Sequence, residues 1–155
     1  MDIIKGQRGL VSQLVTGSLF QVAVKSVGAV LVDFSCFGLD AASKLSDERY
    51  MTFFNQPKTP CGAVTIVAPT ASDNTTFQIN LALLPTTIDR LVITAAIDGT
   101  GTMAQLQASS LTINQGSSCR FAFSGQDFAA ERALMVAEIY RKEGVWRIAA
   151  VGQGF

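Results

Sequence analysis

Histidine is absent from the 155 residues of this chain. That removes the commonest general base, the Ser-His-Asp and Cys-His pairings, and nearly all transition-metal catalytic centres. An enzyme on this chain would have to work through carboxylates, lysine or tyrosine. Oxygen ligands remain, and they suit a hard cation such as calcium or magnesium. Charge is scarce too. Asp, Glu, Lys and Arg make up 15% of the residues, and twelve basic side chains balance twelve acidic ones. Nucleic-acid binders usually carry an excess of positive charge to engage phosphates. Here only a local group, Arg141, Lys142 and Arg147, stands out, so no nucleic-acid partner is expected. Cysteine is limited to Cys36, Cys61 and Cys119. An odd count without C-x-x-C spacing suggests neither a disulfide framework nor a zinc site. The three read as reduced thiols packed like small hydrophobes. No apolar run reaches the ~18 residues of a membrane span, and no N-terminal signal pattern is visible. The expected location is the cytoplasm.

What is present is apolar and regularly punctuated. Apolar residues make up 48% of the chain, enough for an ordinary core in one domain over 1–155. Short strands dominate. In residues 18–25, Phe20, Val22 and Val24 share one face with period two. Residues 29–36 follow, then 49–54, whose aromatic side chains read as a strand. Further strands begin at Gly62 and Thr75, with Phe77, Ile79 and Leu81 on one face of the latter. Residues 91–97 are rich in β-branched side chains and run into the turn signal Asp98-Gly99. Residues 103–108 suit a single helical turn, and two strands come after it. The segment 131–142 is ambiguous. Its helix formers allow an amphipathic helix, yet a short Gly144 loop and an apolar partner segment also allow a hairpin. About ten short strands in all indicate an all-β sandwich or barrel.

Residues 30–37, VLVDFSCF, carry one carboxylate in an apolar run. A buried, unpaired Asp33 would cost several kcal/mol. Asp33 therefore needs a cation, a cage of hydrogen bonds or a route to water. Alternation gives it the face of Leu31 and Ser35, opposite Val30, Val32 and Phe34.

The C-terminal stretch AEIYRKEGVWRIAAVGQGF, residues 137–155, resembles the closing pattern of the TerD family of tellurium-resistance and stress-response proteins. Glu138, Tyr140, Arg141, Gly144, Trp146, Ala150, Val151, Gly152, Gln153 and Gly154 fit that pattern. IIKGQ (3–7), KLSDERYMTFFNQPKTPCGAV (44–64) and INLALLPTTIDRLVITAAID (79–98) are similar to other family segments, so the resemblance covers essentially the whole chain. It implies an all-β fold, a β-sandwich of two mainly antiparallel sheets with short helical turns in the connections. It also makes the C-terminal pair strands. The family is described as calcium-binding through acidic loops at one end of the sandwich. Here the acidic set is degenerate. Asp33 is kept while its acidic neighbour is Leu31, the acidic loop is shortened to PTASDNTTF, and the family's His-Asp is Ile97-Asp98. The ligands the resemblance leaves are Asp33, Asp98, Asp73, Asn74 and Asn55. Calcium takes about 6–8 oxygens, so a site here would be weak or absent.

Ordinary structural roles compete for each of these residues. Asp33 could accept backbone N–H bonds or meet a cation near a strand end. Asp47 suits a turn cap, while Asp98-Gly99 and Asn55-Gln56-Pro57 suit turns. Trp146 and Tyr140 suit the core, and Gly152 suits a close strand approach. The resemblance implies a non-enzymatic bacterial domain that acts through protein–protein interaction in tellurite resistance or stress response. Its partners would be other proteins of that system, a membrane component among them, which would place it peripherally at the inner membrane. A calcium-binding domain that orders a partner surface is the alternative. A glycosidase-like carboxylate enzyme is the third reading, but no acidic pair marks it. The apolar composition also leaves a homo-oligomer open.

Overall fold

Period-two alternation sends every second side chain of a strand to the same face. Phe20, Val22 and Val24 obey it in β3 (Leu19–Lys25) and are at most 3% exposed. The computed structural model describes residues 1–68, 74–114 and 117–155. The remaining strands are β1 (Asp2–Ile3), β2 (Arg8–Leu10), β4 (Leu31–Leu39), β5 (Met51–Thr52), β6 (Val64–Val67), β7 (Thr75–Asn80) and β8 (Arg90–Asp98). They continue with β9 (Ser109–Ile113), β10 (Cys119–Phe123), β11 (Ala133–Lys142) and β12 (Val145–Gly154). One helical turn, α1 (Val11–Leu14), and short 3-10 turns fill the connections.

Two six-stranded sheets result, in the orders β1-β10-β9-β3-β7-β6 and β2-β12-β11-β8-β4-β5. All pairings are antiparallel except β1 with β10. The inner faces meet in one core. Phe77, Ile79, Leu111 and Ile113 come from the first sheet, and Leu91, Ile93, Leu134 and Ile139 from the second. Each such side chain contributes about 1.5–3 kcal/mol by leaving water.

Residues 131–142 resolve as strand, because β11 pairs with β8 on one side and β12 on the other. Its mixed periodicity has a structural cause. Met135 faces Thr94 of β8 and Ala137 faces Ile93, so Val136 is an extra residue in β11. This β-bulge reverses the alternation. Leu134 and Val136 are buried in the core before it, and Ala137 and Ile139 after it. Glu138 and Tyr140 consequently leave on the outer face. Tyr140 is 8% exposed but lies outside the core cluster, which corrects its placement as a core aromatic. Trp146, in contrast, packs against the core.

The expected strand over 49–54 shrinks to the two residues of β5. Asp47 caps a 3-10 turn over Glu48–Tyr50 by accepting from Arg49 N–H at 3.0 Å. The Gln56 amide then donates to the carbonyls of Glu48 and Met51 at 2.9 and 2.6 Å. Backbone groups that a longer strand would use are thereby taken. At the chain's end Gly152 has φ +59°, and a Cβ there would lie 3.1 Å from the Phe121 ring. The last strand does approach its neighbour closely.

Candidate functional site

β4 is paired along its whole length with β8, but β5 pairs only with Cys36 and Phe37. Among the described residues, the other flank of residues 31–35 carries no strand. Beside it lies a cavity of about 310 Å³ that opens between the two sheets. Val32, Asp33 and Phe34 of β4 form one wall, Ile66 and Val67 of β6 another, and Asn74, Thr75 and Phe54 complete it.

Asp33 is exposed, as the alternation of β4 requires, since Phe34 and Cys36 point inward at 4% and 1% exposure. The anticipated burial cost does not arise, because water solvates the carboxylate. Asp33 faces Ala96 across the β4–β8 pair, and Asp98 faces Leu31. The two aspartates thus share one face as diagonal neighbours, a relation that spaces residues about 7–8 Å apart, with the Cβ atoms somewhat closer. A shared cation would require both carboxylates to turn toward each other. Asp98 is exposed and opens the turn at Gly99, whose φ is +88°.

Asn74 lines the same cavity as Asp33, but its side-chain oxygen is engaged. It accepts from Ser26 N–H at 2.5 Å and from Ser26 Oγ at 3.2 Å, while Asn74 N–H donates to Val24 O at 3.0 Å. The residue ties the start of β7 to the end of β3. Asn55 is exposed in the turn closed between Phe53 and Gln56, next to the cavity-lining Phe54. Asp73 lies outside the described residues. Among the described residues, no group of three His, Cys, Asp or Glu is placed to hold a metal ion. Asp33 and Asn74 are therefore brought to one cavity; Asp98 shares the face of Asp33 without lining that cavity, and Asn55 follows the cavity-lining Phe54.

Two other aspartates have structural work. Asp47 holds Arg49 through both carboxylate oxygens, at 3.0 and 2.7 Å. Asp40 accepts from Ser46 Oγ and from the N–H groups of Ala42 and Lys44. The Ser46 bond, with the Lys44 backbone bond behind it, holds the Asp40 carboxyl below the usual range. The cysteines are unpaired. Burial pushes the Cys36 thiol up to about 12 and raises that of Cys119.

Sequence reasoning missed Phe54, which is 69% exposed at the cavity mouth. Its signal was the shortness of β5, which depends on the Asp47 cap and the Gln56 side chain and not on strand propensity.

Comparison with known proteins matches this architecture. The tellurium resistance protein TerA of an Alcaligenes species is 29% identical over 109 residues, covering 68% of this chain and 31% of TerA. This chain thus spans about a third of that relative. General stress protein 16U of Bacillus subtilis is 26% identical over 137 residues, covering 80% of this chain and 70% of the relative. The chemical-damaging agent resistance protein B of Clostridium acetobutylicum is 31% identical over 115 residues, covering 66% of this chain and 83% of the relative. A crystal structure of a homologue of the telluride resistance protein TerD, from Streptomyces coelicolor, superposes with a TM-score of 0.71 at 18% identity. It covers 95% of this chain and 91% of that one. At that identity the likeness concerns the fold. The TerD domain model matches residues 2–155, and the chain belongs to the TerD family.

Proposed function

We propose that the protein is a non-enzymatic TerD domain of a bacterial tellurite-resistance or stress-response system, and that it works by binding other proteins. The family match over residues 2–155 carries this reading, together with relatives named for tellurium resistance and general stress. The interaction half is supported by apolar side chains held in water. Leu31 is 71% exposed and Phe54 69%, at the uncovered flank of β4. Exposed apolar side chains beside an unpaired strand flank suit the addition of a partner there. The partners would be other proteins of the same system, a membrane component included, reached from the cytoplasm. No helix among the described residues is long and apolar enough to cross a membrane. The test is growth of the source bacterium on graded tellurite after deletion of the gene, with wild-type and Leu31→Ser/Phe54→Ser genes returned. Loss on deletion with restoration only by the wild type supports the reading. Unchanged growth after deletion sinks the tellurite-resistance reading, and unchanged survival of the same strain in hydrogen peroxide sinks the stress-response one.

A second reading, a reduced calcium site, is favoured by one observation: Asp33 and Asn74 line one cavity. Thermal unfolding with 10 mM calcium against chelator separates the two. A site with Kd near ~1 mM adds about 1.4 kcal/mol at that concentration, or about 3–6 °C for a domain of this size. A shift of that size that disappears in Asp33→Asn establishes calcium as a ligand. The absence of a shift removes this second reading.

A further inference from the structure

The bulge at Val136 has a chemical result on the outer face of the second sheet. It sends Tyr140 outward, directly opposite Arg147 of β12 and Arg90 of β8. Arg8 reaches across from β2, and its Nη1 donates to Tyr140 Oη at 2.7 Å. The guanidinium carbons of Arg8 and Arg90 lie 5.5 and 5.3 Å from the Tyr140 ring centroid. The ring is covered by these cations, each within the range of a cation–π contact. Glu138 pairs with Arg90 and is the carboxylate in this group. Arg8 and Arg147 have no acidic partner among the described residues, and Arg147 Nε is buried with no hydrogen-bond partner there. The patch therefore carries more guanidinium than carboxylate in a protein whose overall charge is zero.

Next to it the same face is apolar and concave. A depression of about 460 Å³ is lined by Phe37, Leu39, Val92, Met135 and Phe155, with Arg90 and Glu138 on its wall. Arg90 belongs to both features, so the cationic group forms one rim of the apolar depression. Buried aromatic and arginine anchors of this kind concentrate binding energy at interfaces, and charge complementarity sets which partner is accepted.

We propose that this face binds an acidic peptide segment of a partner protein. A large apolar side chain of the segment fills the depression between Phe37 and Met135. A neighbouring carboxylate meets Arg8, which has no acidic partner among the described residues, and the N–H groups of Arg90 that Glu138 leaves free. The depression lies open across the sheet, so a side chain can enter from above while its backbone stays outside. The proposal rests on the protein-binding reading given above and adds to the flank of Leu31 and Phe54 a second surface with its own partner chemistry.

The test is fluorescence anisotropy of the whole protein with labelled nonapeptides that carry Leu, Phe or Trp between pairs of glutamates. A matched panel carries lysines in place of the glutamates. The expected result is saturable binding of at least one acidic peptide, with the lysine panel at least ~10-fold weaker and affinity falling as salt rises. The triple variant Arg8→Gln/Arg90→Gln/Glu138→Gln, in which no carboxylate is orphaned, weakens binding at least ~10-fold. Met135→Trp, at a half-buried outer position, does the same by filling the depression without changing its charge, so the result does not depend on one variant folding. Absence of saturable binding at 1 mM for every acidic peptide overturns the proposal, as does equal affinity for the lysine panel. Decanoate that saturates the depression more tightly than any peptide assigns it to a small amphiphile and overturns it too. Should the triple variant restore tellurite growth fully in the deletion strain, this face is not the working surface, while the broader protein-binding reading stands.

Discussion

Gly125 offers the sharpest test of how the loops at one end of the sandwich are packed. It begins the 3-10 turn Gly125–Asp127 and is buried. A Cβ added there would lie 2.1 Å from the Ala104 carbonyl oxygen, 2.6 Å from the Ala104 carbonyl carbon and 2.7 Å from the Leu106 carbonyl oxygen. Those neighbours are backbone and cannot rotate away. Non-bonded carbon contacts settle at ~3.5–4.0 Å, so Gly125→Ala must push the two segments apart by about 1 Å. The segment pushed is well anchored. Gly125 N–H donates to Leu106 O at 2.8 Å, Met103 N–H donates to Glu131 O at 2.8 Å, and Met103 is fully buried. Overpacking costs about 1–3 kcal/mol, and weakening a buried backbone hydrogen bond about 1 kcal/mol more. A total near ~3 kcal/mol lowers the melting temperature of a domain this size by about 6–12 °C. Differential scanning calorimetry of the purified variant reads it directly. A midpoint within 2 °C of the wild type would refute the packing argument. Gly144 supplies the contrast, because φ there is +77° and no atom lies within 4 Å of an added Cβ. Its constraint is conformational. Asn, which tolerates that conformation, should be better accepted than Ala at Gly144, whereas at Gly125 it should be worse than Ala.

Two further outcomes follow from the local chemistry. The Asp40 carboxyl is held below its ordinary value chiefly by Ser46 Oγ. Because the folded value is depressed, its contribution to stability is present above the unfolded value near ~3.9 and is lost as pH falls through the folded one. An NMR titration should show the Asp40 midpoint rising in Ser46→Ala, and an unchanged midpoint would remove the assigned cause. Iodoacetamide at pH 8 should label half-buried Cys61 first. Cys36, 1% exposed with its thiol near 12, and Cys119, fully buried, should be labelled only on unfolding. Equal native-state rates at Cys36 and Cys61 would contradict this burial pattern.

The calcium question and the docking proposal concern different regions of the second sheet. Asp33, Asp98 and the 310 Å³ cavity lie at the end of β4 that β5 leaves uncovered. The arginine group sits where β2, β12, β11 and β8 run side by side. Variants at the two places can therefore be combined. Their effects on resistance should add if the surfaces act independently.

Much of the fold was legible in the sequence. Phe20, Val22 and Val24, and Phe77 and Ile79, alternate without interruption, and a half-buried strand is the local structure that satisfies that pattern. The exposure of Asp33 follows from the same rule, since Phe34 and Cys36 fix the inner face. The acidic candidates came from the family resemblance; Asp33 and Asp98 are exposed, and Asp73 lies outside the described residues. Tertiary structure decided what alternation could not. Leu134, Val136, Ala137 and Ile139 fit no single period, and only pairing with β8 shows that Val136 is an extra residue. That one insertion turns Tyr140 and Glu138 from inner to outer positions. Arg8 and Arg90, 82 residues apart in the chain, then meet over one ring only because β12 joins β2 to Tyr140's strand and β8 borders that strand on its other side. Which side chains face the core is a property of local period, whereas which charges meet is a property of register across strands distant in sequence.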